Sequence, residues 1–81
     1  MLEIVIRPRA KDDLRNIARY TTAEWGDEQA KTYITTILDK VRAAAEFPGI
    51  GPKVFGPDEP YHKLISGSHL VIYRTETDTL I

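Results

Sequence analysis

The chemistry-bearing side chains of this chain cluster between Lys53 and Arg74. Lys53, Lys63 and Arg74 are cations there, and His62 and His69 are titratable near neutral pH. Cutting an RNA backbone takes a base or orienting group for the ribose 2′-hydroxyl, cations for the developing phosphate charge and an acid for the leaving oxygen. The inventory admits such a patch, and Lys63 and Arg74, on paired strands, could share a face. The placement argues against it. Leu70-Val71-Ile72-Tyr73 carries a cation only at its end, in Arg74, and the sheet is too apolar to hold an RNA backbone. Simpler roles fit each residue: Lys63 and Arg74 as charges at strand ends on the sheet rim, His62 and His69 as cross-strand polar neighbours. Two histidines without ligand spacing, in a chain without cysteine, do not make a metal site, and no motif indicates a cofactor.

The elements that must position these residues fit in one domain, residues 1–81. A chain this short buries only about 60% of the surface its unfolded form exposes, so its stability is modest. Eleven Lys and Arg against twelve Asp and Glu give a net charge of −1, which does not mark a nucleic-acid binder. No signal-peptide pattern and no bilayer-length apolar run is present, and the expectation is a soluble cytoplasmic protein.

Leu2 to Ile6 is a continuous apolar run of the kind that forms a strand buried on both faces. Pro8 suits the first turn of a helix expected to run to about Glu24. Ala10, Leu14, Ile17, Ala18, Thr21 and Trp25 form its apolar stripe, with Trp25 as a packing anchor at the turn. Lys11, Arg15 and Arg19 make a basic stripe beside it, either a solvated face or a docking surface for an acidic partner; Asp12 is spaced to pair with Arg15. Gly26 ends the helix and Asp27 caps the next. Ala30, Tyr33, Ile34, Ile37, Leu38, Val41, Ala44 and Ala45 sustain a second stripe that Pro48 stops. The two helices therefore form an antiparallel hairpin.

Phe47 to Pro60 reads as a loop, with Pro48, Gly49, Gly51, Pro52, Gly56, Pro57 and Pro60 as breakers. Its glycines fit no phosphate-binding spacing. Tyr61 to Arg74 reads as two strands turning at Ser66-Gly67-Ser68. Tyr33 and Tyr73 are expected in the core with hydroxyls in water. Glu76 to Thr79 makes a further turn, and Leu80-Ile81 begins another strand. The order β-α-α-β-β-β, with the last strand cut short, gives an α+β fold: an antiparallel-rich sheet with a helical hairpin on one side.

In their order, several pieces resemble the ParE branch of the RelE/ParE toxin superfamily of bacterial toxin–antitoxin systems. They are Ala10, Asp13-Leu14, Ile17 and Tyr20 on the first helix, Trp25-Gly26, Ala30 and Tyr33, the bend Phe47-Pro48-Gly49-Ile50-Gly51, and above all Tyr61 to Arg74. The resemblance spans essentially the whole chain. It implies a small toxin held inactive by an antitoxin whose flexible tail wraps it. For ParE-like members it implies inhibition of DNA gyrase by binding, without catalysis; for RelE-like members, ribosome-dependent mRNA cleavage. Nuclease members carry a Glu after the bend or extra cations on the sheet, whereas this chain has Pro52-Lys53-Val54-Phe55 there. Gyrase inhibition is therefore the expected role. The alternatives are an mRNA endoribonuclease using Lys53, Lys63 and Arg74, or a non-toxic remnant that only binds antitoxin. Lys11, Arg15, Arg19, His62, Lys63, His69, Tyr73 and Arg74 are the candidates for gyrase or antitoxin contact. ParE-like chains normally continue through an apolar strand into a basic, His-containing segment, whereas this sequence stops at Ile81. The expected consequence is an under-covered sheet face and a tendency to associate. No membrane partner and no nucleic acid bound by this chain alone are expected.

Overall fold

The computed structural model describes residues 1–56, 58 and 60–81. Strand β1 (Glu3–Ile4) leads into helix α1 (Pro8–Trp25), which Gly26 joins directly to helix α2 (Asp27–Glu46). A single 3-10 turn (Pro48–Ile50) opens the long loop. Strands β2 (Tyr61–Ser66), β3 (His69–Glu76) and β4 (Thr79–Leu80) follow. The sheet order is β1-β4-β3-β2, with β1 parallel to β4 and the other pairs antiparallel. The expected α+β architecture is the one observed, short last strand included.

Helix α2 is the central support. Its stripe is buried or half-buried at each of its eight expected positions. Ala44 and Ala45 are small enough to let the sheet approach closely, and they form the core with Tyr73 and Leu80, joined by Leu2, Ile4, Val41 and Leu64. Helix α1 packs mainly on α2, whereas α2 itself reaches β1, β2 and β4.

The N-terminal strand departs from expectation. It is two residues long, lies at the sheet edge and alternates in burial, with Glu3 and Val5 exposed. An edge strand with helices on one side only needs a single apolar face. Trp25 is not a packing anchor: it is 70% exposed, and Ala10 is exposed as well. Helix α1 is covered mainly by α2, and that cover does not reach Ala10 or Trp25 at its two ends. Asp27 does not cap α2 either. Gly26 occupies the N-cap, no side chain bonds there, and Asp27 sits in the first turn. Gly26 has φ 92 and ψ 170, a region open essentially only to glycine, which lets one residue both end α1 and start α2.

The breaker-rich loop still forms the 3-10 turn and a bridge between Lys53 and His62. Pro57, one of its counted breakers, lies outside the described residues. The β2–β3 turn is tighter than expected. Ser66 pairs with His69, so Gly67 and Ser68 alone make the loop. Gly67 has φ 58 there, and a Cβ would meet the Tyr33 ring at 2.7 Å.

Candidate functional site

The two-residue loop fixes the hairpin register, and register decides which side chains meet. Tyr61 pairs with Arg74, Lys63 with Ile72 and Ile65 with Leu70. Direct cross-strand partners share a face, so these six form the outer face of the sheet. His62, Leu64 and Ser66, paired with Tyr73, Val71 and His69, form the face toward the helices. This register places Lys63 and Arg74 on one face. Lys63 is interior to β2 rather than at a strand end, and Arg74 pairs with Glu76 at 3.2 Å.

Both histidines lie on the opposite face from those cations. His62 Nδ1 is 2.7 Å from the Gly51 carbonyl oxygen, and its ring stacks on Tyr73 at 5.1 Å. His69 Nδ1 hydrogen-bonds the Tyr33 hydroxyl. Neither is simply a cross-strand polar neighbour, because each reaches a group outside the hairpin. The phenols are not left wet. The Tyr73 hydroxyl donates to the Pro48 carbonyl at 2.7 Å and accepts the Gly51 N–H at 3.1 Å, with Tyr73 only 3% exposed. The Tyr33 hydroxyl accepts the Ser68 N–H at 3.1 Å. The two histidines and the pair Lys63 and Arg74 are therefore divided between the two sides of the sheet, which is poor geometry for concerted acid–base cleavage.

A broad concavity lies elsewhere, between the N-terminal half of α1, the C-terminal half of α2 and strand β3. Its volume is about 790 Å³. Leu14 and Ile17 from α1, Ile37 and Val41 from α2, Val71 from β3 and Leu80 from β4 make it apolar. One wall is an unpaired strand edge. Arg74 and Ile81 exchange both backbone hydrogen bonds, at 3.0 and 2.9 Å. In an antiparallel ladder alternate residues direct N–H and C=O to the same side, so Leu70 and Ile72 present theirs to this edge. On that side β4 pairs only with Thr75 and Glu76, so among the described residues no strand meets this edge of Leu70 and Ile72, whose side chains are 55% and 41% exposed. An open edge beside an apolar channel can take an added strand or an amphipathic segment.

Charge at the groove is lopsided. Arg7, Arg9 and Arg74 line it, against Asp13 as the one acidic side chain among the described lining residues. Arg7 and Arg9 make no ion pair among the described residues. A segment bearing acidic side chains is favoured there. Of the sequence-derived candidates, Tyr73, His69 and Arg74 line this groove, and Tyr61 joins them. Lys11, Arg15 and Arg19 do not; they lie exposed on another side of α1, with Arg15 held by Asp12 at 2.8 Å. Lys53, His62 and Lys63 are also outside it. Arg7 and Arg9 were missed because their contribution depends on how α1 sits across the sheet; the signal in the sequence was two arginines around the helix-starting Pro8.

Comparison with known proteins shows the family of the chain. Residues 4–81 match the family described as ParE toxin of type II toxin-antitoxin system, parDE. Toxin ParE1 of Caulobacter vibrioides is 41% identical over 70 residues, which cover 82% of this chain and 69% of that protein. The chain belongs to the ParE toxin family of type II toxin–antitoxin systems.

Proposed function

We propose that the protein is a toxin that acts by binding DNA gyrase, without catalysing a reaction, and that a cognate antitoxin neutralises it by occupying the groove beside β3. The observation that carries the docking half of this reading is the unpaired edge of Leu70 and Ile72 facing an apolar channel. A partner strand there gains main-chain hydrogen bonds and buries exposed apolar side chains together. Arg7 and Arg9 select for acidic residues on the incoming segment. The gyrase half rests on membership of the ParE family and on the division of His62 and His69 from Lys63 and Arg74, which disfavours the nuclease alternative.

The test sets a supercoiling assay with purified gyrase beside a ribosome-programmed mRNA cleavage assay, with and without antitoxin. Loss of supercoiling with intact mRNA, reversed by antitoxin, is the expected result. Cleaved mRNA with normal supercoiling would overturn it and bring Lys53, Lys63 and Arg74 forward. Silence in both assays, with tight antitoxin binding, would reduce the function to antitoxin capture.

A further inference from the structure

The other end of the helical hairpin carries a second concavity, of about 310 Å³, apart from the groove beside β3. Tyr20 and Trp25 from α1 and Tyr33 from α2 supply three aromatic rings around it, with Gln29 and His69 completing the wall. The floor is fixed. Tyr33 hydrogen-bonds His69 and Ser68, meets the His69 ring edge-on at 5.4 Å, and lies against Gly67 so closely that no Cβ fits there. The upper rings are in water: Tyr20 is 67% and Trp25 70% exposed. Tyr and Trp left exposed around a hollow are the residue types that anchor protein interfaces.

Charge indicates the occupant. From Tyr20 to Tyr33 the chain carries Glu24, Asp27 and Glu28 against Lys31 alone. None of the three carboxylates makes an ion pair among the described residues. They flank the lining rather than form it: Glu24 is one helical turn from Tyr20, and Glu28 precedes Gln29 in the chain. Aromatic faces attract a cation through their quadrupole, and nearby carboxylates raise its local concentration. The groove beside β3 is lined by three arginines, whereas this hollow has no Lys or Arg in its lining and an acidic surplus in the segment that flanks it. We propose that this hollow receives an arginine side chain from a basic segment of a partner polypeptide. The planar guanidinium stacks on the rings, and Gln29 offers it a hydrogen-bond acceptor. An ammonium group would be held more weakly, because it is more strongly hydrated and cannot stack.

Trp25 is the only tryptophan in the chain, so its emission reports directly on the site. The full chain would be titrated with an acetylated, amidated peptide of three arginines spaced by glycine, and with the lysine, glutamate and leucine counterparts. A saturable change with the arginine peptide is expected, weaker with lysine, absent with glutamate or leucine, and reduced by added salt. Tyr20→Ala leaves the reporter in place and should weaken binding by about threefold to thirtyfold. Glu28→Gln, which leaves every ring in place, should weaken it and flatten the salt dependence. Phe55→Ala, on an exposed residue outside the hollow, should leave it unchanged. No saturable response to the arginine peptide, an equal response to the glutamate or leucine peptide, or unaltered binding by both Tyr20→Ala and Glu28→Gln would overturn the proposal.

Discussion

Tyr73 and Ser66 lie on the same face of the β2–β3 hairpin and illustrate opposite uses of a buried hydroxyl. The Tyr73 hydroxyl ties the 3-10 turn to the sheet through Pro48 and Gly51. Tyr73→Phe keeps the ring and its stacking on His62 but strands the Gly51 N–H and the Pro48 carbonyl. We expect a loss of about 1–3 kcal/mol in urea unfolding. Gly51→Ala should cost at least as much, because a Cβ would lie 2.3 Å from the Lys63 carbonyl oxygen. Ser66 Oγ is buried with no hydrogen-bond partner among the described residues. Ser66→Ala removes that desolvated group and should stabilise the chain by about 1 kcal/mol in the same measurement. The Asp12–Arg15 pair is well exposed, so Arg15→Ala should change stability by less than about 0.5 kcal/mol.

The helical hairpin depends on Gly26, and the groove depends on β3. Gly26 has open space around its Cα, so a methyl group fits sterically, yet the backbone region is costly for any residue with a Cβ. Gly26→Ala should therefore destabilise by about 1–3 kcal/mol while leaving the antitoxin interface intact. Leu70→Glu and Ile72→Glu act in the opposite sense. Both side chains are exposed, so folding should be little affected, whereas a carboxylate at the unpaired edge would repel an acidic incoming segment. Antitoxin affinity measured by calorimetry should fall about tenfold or more, near 1.4 kcal/mol. Unchanged affinity in both variants would move the antitoxin off this edge.

At the scale of the whole molecule the limiting quantity is core size. Eighty-one residues correspond to roughly 4–12 kcal/mol of total stability. Among the described residues the buried apolar set is Ala30, Ile37, Ala44, Ala45, Tyr73 and Leu80. Leu80→Ala, at about 2–5 kcal/mol, should consume a large share of that and leave a measurable unfolded fraction at 37 °C by circular dichroism. A bound partner compensates. Antitoxin at a hundred times its dissociation constant adds about 2.7 kcal/mol, which in a domain of this size raises the melting temperature by about 10 °C or more. No helix among the described residues is long and apolar enough to cross a membrane.

Local periodicity was enough to place α1, α2 and the β2–β3 hairpin, because each is written within one segment: the stripe from Ala30 to Ala45, the glycine at 26, the glycine at 67. Family membership was legible for the same reason, since its signature is the order of such segments. The functional surfaces were not. Shortening the turn by one residue from the expected three re-pairs the hairpin, and a one-residue slip changes which residues share a face. That register puts Lys63 with Arg74 on the outer face and turns His62 and His69 inward to Gly51 and Tyr33. The path of α1 across the sheet brings Arg7 and Arg9 to the groove and leaves Trp25 in water. Residue types and element order are properties of neighbouring positions along the chain, so the sequence determined them by itself. Which faces meet, which edge stays unpaired and which aromatics remain exposed depend on contacts between distant segments, and only the tertiary structure decided them.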